Sequence, residues 1–326
     1  FLQNQRRDKT TNMSDHTTSF GAVGLGEGAT PMIASKDDPN LFLKLEFLNP
    51  TGSFKDRGAA ASIARAVGNG VRHIVVDSSG NAGAAMAAYA ARAGLGCDVF
   101  VPASNSRSKL RQIEAYGACL HSVEGPREAA RDAALNFSRI TGASYLSHAH
   151  DDAFIDGVAT IFQEIFDAFG SRPPQRLYLP AGHGTLVVSA QCVIQSLIEH
   201  GKLTESPQLI AVQSSRCAPL AQALGVDALA TTEARTAHTP EGVLIAQPPR
   251  LSAMIQAIKF SNGSVRVLED VAVADAQRAL SSQGLLIEPT GTLGYAAALS
   301  DRAAGYRGVV VAPLCGAGLK TLLSVG

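Results

Sequence analysis

One lysine stands where a turn runs into an alanine-rich helix: Lys55, within LEFLNPTGSFKDRGAAA (residues 45–61). The Asn-Pro-Thr-Gly cluster favours a turn and the small residues after Gly58 favour a helix, so the amine sits near a positive helix end. That field disfavours the ammonium form and lowers the amine's pKa toward a nucleophile, the state that condensation with a carbonyl requires. Read alone, the segment also suits a solvated lysine at a helix start. Two further segments offer seats for anions. In VVDSSGNAGAAMAAYAARAG (75–94), Ser78, Ser79 and the first helical amides are donors at a helix N-terminus, suited to a carboxylate, although plain capping uses the same residues. In LYLPAGHGTLVVSA (177–190), Gly182 and Gly184 let successive N–H groups converge on an anion such as a phosphate, or make a tight turn. A fourth segment, VVVAPLCGAGLK (309–320), carries Cys315 into another glycine turn, where a thiol is a weak donor and also an ordinary buried residue. His150 and His183 are candidates for proton transfer or for holding loops.

These segments need elements to position them. Short β-branched runs alternate with helical patterns from about residue 70 onward, the rhythm of βαβ units in a largely parallel sheet. Residues 74–76, 99–101, 177–179, 209–212 and 309–311 are the strand candidates, each short enough to be covered on both faces. The clearest helix follows Gly157, where Val158, Ile161, Phe162, Ile165, Phe166 and Phe169 fall on one helical stripe. Gly170 and the Pro173-Pro174 pair end it. A second stripe (Ala130, Ala133, Ala134, Phe137) begins behind Pro126, a favoured first-turn residue. SRPPQ (171–175) is the most linker-like stretch, and its length also suits a helix-to-strand loop.

The 326 residues suffice for one large or two medium domains, and a composition of 46% hydrophobic and 17% charged residues describes a globule with a sizeable core. Formal net charge is zero and no basic stripe carries interleaved aromatics, so no nucleic-acid partner is expected. Arg92 and Asp98 interrupt the longest Ala/Gly stretch, which leaves no run of the ~18–20 apolar residues that span a bilayer, and no membrane partner is expected. The five cysteines (Cys97, Cys119, Cys192, Cys217, Cys315) are widely spaced and never form C-x-x-C. That pattern argues against a disulfide framework and a structural zinc site, and for a reducing, cytoplasmic setting with no metal. Residues 1–12 are polar and lack an apolar core, which fits a disordered tail, an expression remnant or a weak targeting segment. The N-x-S triplets at Asn12, Asn136 and Asn262 read as chance matches.

In their order along the chain these segments resemble one family. NPTGSFKDRG resembles the cofactor-lysine motif of threonine synthases, within the fold type II pyridoxal-phosphate enzymes, and the resemblance extends over about residues 25–320. It implies that Lys55 forms the Schiff base with pyridoxal 5′-phosphate and carries the α-proton between steps. SSGNAG looks like the family's substrate loop, implying carboxylate binding by Ser78, Ser79, Gly80 and Ala82, with Asn81 contacting the cofactor's ring oxygen. PAGHGT is similar to the phosphate loop and implicates Gly182, His183, Gly184, Thr185 and Leu186. The family usually places Ser or Thr where Cys315 stands, donating to the pyridine nitrogen. A thiol supplies no negative charge, so the nitrogen stays largely unprotonated, which in this family goes with elimination and replacement rather than transamination. GEGATPM (26–32) resembles the N-terminal motif of threonine synthases and fails as a dinucleotide fingerprint, since no apolar strand precedes Gly24. IEPTGTLGYAA (287–297) resembles the EPTSA-type motif, with Gly291 and Thr292 departing from its Ser-Ala.

The same resemblance bears on the reaction. In threonine synthases an Asn-Ser…Asn-Pro…Arg segment holds the substrate phosphate; the corresponding stretch here is SHAHDDAFIDGVAT (147–160), with Phe154 in place of the arginine. Phe cannot replace a bidentate guanidinium on a dianion, which argues against homoserine phosphate. His148, Asp151, Asp152, Gly157 and Thr160 look more like the H-x-x-D-D…G-x-x-T run of serine/threonine dehydratases. The resemblance therefore implies a threonine synthase-like lyase or synthase performing elimination or replacement on a β- or γ-substituted small amino acid. The alternative is a serine/threonine dehydratase or a cysteine synthase-type β-replacement enzyme. A non-catalytic cofactor carrier is disfavoured, since a scaffold has no need of Lys55, Asn81 and the 182–184 loop together. The implied architecture is α/β and two-domain, like the tryptophan synthase β-subunit, with mostly parallel sheets covered by helices. A small mobile domain spans 58–150, a large cofactor-binding domain combines 1–57 with 151–326, and a homodimer is expected. The chain's end soon after residue 320 is expected to leave no room for a regulatory domain.

Overall fold

The computed structural model describes residues 21–319, apart from 106, 228–230, 232 and 233; residues 1–12 with Asn12 lie outside it. Among the described residues a short 3-10 turn (Gly21–Val23) leads into an antiparallel pair, β1 (Met32–Ser35) and β2 (Asp38–Lys44). It then alternates: α1 (Lys55–Gly68), β3 (His73–Val76), α2 (Asn81–Arg92), β4 (Gly96–Pro102), α3 (Arg107–Ala115), β5 (Cys119–Val123), α4 (Arg127–Thr141) and β6 (Ser144–Tyr145). After α5 (Asp152–Phe169) come β7 (Arg176–Pro180), α6 (Thr185–Glu199), β8 (Gln208–Ser214), α7 (Pro219–Ala223) and α8 (Leu251–Phe260). The chain continues through β9 (Ser264–Leu268), α9 (Asp270–Ser281), α10 (Pro289–Ala303) and β10 (Val310–Pro313).

Among the described residues the strands form two sheets, one ordered β1-β2-β10-β7-β8-β9 and the other β5-β4-β3-β6. Every neighbouring pair except β1–β2 is parallel. This is the α/β arrangement of mostly parallel sheets that the alternation of β-branched runs and helices implies. The five apolar runs become β3, β4, β7, β8 and β10, although Val309 precedes its strand. The other strands gave no such signal: β1 (MIAS), β5 (CLHSV) and β9 (SVRVL) lie at sheet edges and are only partly buried, β2 opens on the polar Asp-Pro-Asn, and β6 is two residues long. None of the described helices is long and apolar enough to cross a membrane.

Helix α5 begins at Asp152, ahead of the apolar stripe, because Asp151 caps it by accepting from the Ala153 amide at 2.9 Å. Gly157 thus lies inside the helix, for a packing reason: a Cβ there would come within 2.1 Å of the Arg57 carbonyl oxygen on α1. Gly58 is the reciprocal case, its absent Cβ making room for the Phe154 ring. The two glycines let α1 and α5 meet nearly backbone to backbone. Pro126 stands one position earlier than the first turn, as the N-cap residue of α4, and 171–175 is a helix-to-strand loop.

A buried ionic cluster fixes the same contact. Arg57, 1% exposed, donates to both oxygens of Glu46 at 2.8 Å and also pairs with Glu164, which Lys44 reaches at 2.6 Å. Thr160 accepts a further bond from Arg57 at 2.8 Å, and Ser62 donates to Asp151 at 2.6 Å. Asp151, Gly157 and Thr160 of the dehydratase-like run therefore lock α5 onto α1.

Candidate active site

Ligands of open parallel sheets gather where strands end at their carboxyl termini, and the glycine-rich turns here follow the ends of β3, β7 and β10. Lys55 is the first residue of α1. The loop before it is fastened from both sides. Asp56 accepts from the Thr51 amide at 2.8 Å and hydroxyl at 2.6 Å, while Phe54 N–H donates to the Cys315 carbonyl at 3.0 Å and Ala317 N–H to Gly52 at 2.9 Å. Ser53 and Gly316 form a β-bridge in the same seam. The lysine turn and the turn after β10 are thus one unit, with the amine 4.3 Å from the Phe54 ring centre and 5.6 Å from that of Phe154. Burial lowers the Lys55 amine to about 8; Cys315 and Glu288 oppose the shift and Arg127 adds to it. Sequence reasoning attributed the lowering to the helix end; removal from water is the largest cause.

The segment after β3 folds back on its own helix. Gly80 is the extended N-cap residue of α2, and a Cβ on Gly83 would lie 1.8 Å from the Ser78 carbonyl oxygen. Ser78, Ser79 and Gly80 therefore ride directly over the first turn that holds Asn81 and Ala82. The Asn81 amide donates to Glu288, at 2.9 and 3.1 Å. Glu288, the N-cap residue of α10, packs against Gly316, where any Cβ would strike its carboxylate.

After β7, Gly184 takes a left-handed conformation (φ 98°) as the N-cap residue of α6. Gly182 faces the 242–243 backbone, with room for no side chain: a Cβ would lie 2.7 Å from the Gly242 oxygen. Thr185 and Leu186 open the helix, both buried. His183 meets the buried His148 edge to face at 4.9 Å. Burial, the nearby Lys55 and Arg127 charges hold His183 at about 3; burial and the same neighbours hold His148 well below the usual histidine range. Both imidazoles are neutral at pH 7. Arg127, at the start of α4, brings Nη2 to 3.4 Å from His183 Nε2, which must accept, since a guanidinium only donates. His150 is exposed.

Cys315 is 2% exposed, its Sγ 3.4 Å from the Pro313 carbonyl, and burial pushes its thiol well above the usual range. Phe154, fully buried, has its ring centre 6.0 Å from that of His148 and 5.6 Å from the Lys55 amine, an apolar neighbour to both. Three residues of this neighbourhood went unmarked in the sequence as site residues: Glu288, Arg127 and Gly83. Glu288 sat within a motif recognised for other residues, and Arg127 follows the helix-starting Pro126; neither spacing places them near a lysine far away in the chain.

The donor set fits pyridoxal 5′-phosphate. Thr185 Oγ1 and Ser53 Oγ are buried without a hydrogen-bond partner among the described residues, a cost that an incoming acceptor would remove. Thr185 does so at a helix N-terminus behind a left-handed glycine, a setting suited to a phosphate. Lys55 supplies an amine of lowered pKa for an aldehyde, and Cys315 a neutral thiol.

Comparison with known proteins agrees with this geometry. The threonine synthase of Mycobacterium leprae (strain TN) is 31% identical over 312 residues, covering 91% of this chain and 83% of that protein. The fold is shared with O-ureido-L-serine synthase (TM-score 0.76, 21% identity, 91% of each chain) and with maize serine racemase (TM-score 0.76, 22% identity, 89% of this chain and 88% of that one). Residues 23–316 match the family described as pyridoxal-phosphate dependent enzyme, and the chain belongs to that family.

Proposed function

We propose that this enzyme performs elimination or replacement on a β- or γ-substituted small amino acid, as a threonine synthase-like lyase or synthase. The observation that carries the reading is the Lys55 amine, lowered to about 8 by burial and fastened to the turn that carries a neutral Cys315 thiol. When bound, pyridoxal phosphate supplies the electron sink that weakens bonds at the substrate's Cα. Lys55 would hold the cofactor through its aldehyde, and its amine, lowered to about 8, would serve to take and return the substrate's α-proton. Gly182, His183, Gly184, Thr185 and Leu186 bind the phosphate through amides at the start of α6 and the free Thr185 hydroxyl. Asn81, its amide held by Glu288, serves the ring oxygen, and Ser78, Ser79, Gly80 and Ala82 bind the substrate carboxylate. Cys315, its thiol kept neutral by burial, would serve the ring nitrogen as an uncharged partner.

A serine/threonine dehydratase or cysteine synthase-type reaction is the second reading, favoured by Phe154: a fully buried ring stands where a guanidinium would hold a substrate phosphate. Incubation with L-serine, L-threonine, O-phosphoserine and homoserine phosphate separates the two. Phosphate release from homoserine phosphate with a rearranged amino acid as product supports the first; ammonia and a 2-keto acid from serine or threonine, or a substituted alanine from O-phosphoserine and an added thiol, support the second. Borohydride reduction of the yellow holoenzyme followed by peptide mapping is expected to label Lys55, and a label elsewhere refutes the assignment of the site.

Residues 58–150 are inferred to form a small domain that closes against residues 1–57 and 151–326; the reading is supported by the confinement of β3 to β6 to that segment. Closure would exclude water from the reacting carbon. A cytoplasmic homodimer is the accompanying expectation, and sedimentation equilibrium at micromolar concentration tests the assembly.

A further inference from the structure

At the opposite end of the small sheet from the 78–80 loop, the first residues of its strands bring together a second set of reactive side chains. We propose that Asp98, Cys119 and His121, with His73 behind Asp98, bind one divalent transition-metal ion of the zinc class. The register builds the cluster. His73 pairs with Gly96, Asp98 with Cys119 and Phe100 with His121. Directly paired residues of a parallel sheet share a face, as do alternate residues along a strand, so His73, Asp98, Cys119 and His121 all project to one side. One ligand atom from each of Asp98, Cys119 and His121 lies within 4.8 Å of the other two, and no other such group of three occurs among the described residues. Tetrahedral zinc, with bonds of roughly 2.0–2.3 Å, sets its donors about 3.3–3.8 Å apart, within reach of small side-chain rotations.

The surroundings support the donors. Asp98 divides its oxygens: Oδ1 meets His121 Nε2, and Oδ2 meets His73 Nε2. An outer histidine that orients a ligand carboxylate is the arrangement that tunes metal sites. Gly96 makes it possible, since a Cβ there would come within 2.5 Å of His73 Nδ1. The His121 ring is fixed by stacking on Phe100 at 4.3 Å and leaning on Phe137 at 5.4 Å. Asp98 is buried, whereas Cys119 is exposed and His121 half-buried, so an ion enters from solvent and keeps a position open to water. A sulfur, nitrogen and oxygen donor set selects zinc, cobalt or nickel over magnesium or calcium. Because β5 is an edge strand, the ion would clip it to β4. The sequence concealed this site, since only Cys119 and His121 are neighbours in the chain and no C-x-x-C pair announces it.

The test is titration of the cofactor-loaded protein with Co²⁺ alone, read as difference spectra, followed by displacement with Zn²⁺. One equivalent of Co²⁺ is expected to give thiolate-to-cobalt charge transfer and intense tetrahedral visible bands. Cys119→Ser, at an exposed position, should abolish the charge-transfer band, and His121→Gln should weaken binding at least ~10-fold. His73 is a positioning residue: His73→Gln should weaken binding about 10–100-fold while the charge-transfer band persists at saturation. Absence of saturable Co²⁺ binding, or a charge-transfer band that survives Cys119→Ser, overturns the site and leaves Asp98 as a carboxylate held by two histidines.

Discussion

Burial strips water from the Lys55 amine, and Glu288 and Cys315 restrain the resulting shift, so the amine titrates at about 8 instead of 10.5. About one-tenth is neutral at pH 7 and about half at pH 8. Uptake of pyridoxal phosphate by cofactor-free protein should therefore quicken with rising pH and level off above about 8.5–9. A rate still climbing steeply past pH 9.5 would indicate an unperturbed lysine. Lys55→Ala should abolish the visible band and lower turnover by about 10²–10⁴-fold or more, measured as product formed per enzyme. Of the residues around it, Lys55, Cys315 and the 182–186 loop were legible in the sequence, because each sits in a local pattern of turn glycines ahead of a helix or after a strand. His148, named there only within a run, is placed beside His183 by the fold.

At the scale of elements, the contact between α1 and α5 holds the helix that Lys55 begins, beside the seam with the turn after β10 that fastens its loop. Gly157→Ala would drive a methyl into the Arg57 carbonyl, so the helices must part. The expected cost is about 1–3 kcal/mol in urea unfolding, with a fall in turnover because α1 begins at Lys55. The ionic cluster acts on the same joint. Glu46→Gln leaves the Arg57 guanidinium with less than its full complement of negative partners at a site 1% exposed, and should cost about 3–5 kcal/mol by the same measurement. An effect under 1 kcal/mol would mean that water or Glu164 takes over. The sequence showed the helices but not this joint. The periodic stripe marks which face of α5 is apolar, whereas the start at Asp152 depends on a cap and the glycine at 157 on a partner helix.

For the whole molecule, the acid limb of stability reports the same cluster. Burial pushes Glu164 up, but the hydrogen bonds and charges of Arg57 and Lys44 outweigh it and hold the carboxyl at about 2, below its usual 4.5. A depressed carboxylate stabilises the fold above its unfolded pKa, so this contribution is whole above about pH 4.5 and is lost as pH falls toward 2. Glu164→Gln should be less stable than the parent at pH 7 and show a shallower decline between pH 4.5 and 2 in thermal unfolding; parallel curves would contradict the assignment. The inferred closure of residues 58–150 belongs to this scale too. Small-angle scattering should show a smaller radius of gyration with a bound substrate analogue than without, and no change would count against a mobile domain.

The sequence by itself determined the parallel α/β class, through the alternation of short apolar runs and helical stripes, and the cofactor, through the resemblance of its ordered motifs to one family, since each glycine turn or helix-start amine read alone has a plainer use. Only the tertiary structure decided what faces those groups. Arg127 on His183, Glu288 on Asn81, Phe154 beside Lys55 and the Asp98–Cys119–His121 cluster all join residues distant in sequence or on different strands. Their meeting is fixed by strand register and by two helices that touch where they lack side chains. Register and close approach are properties of paired surfaces, and no single stretch of chain carries them.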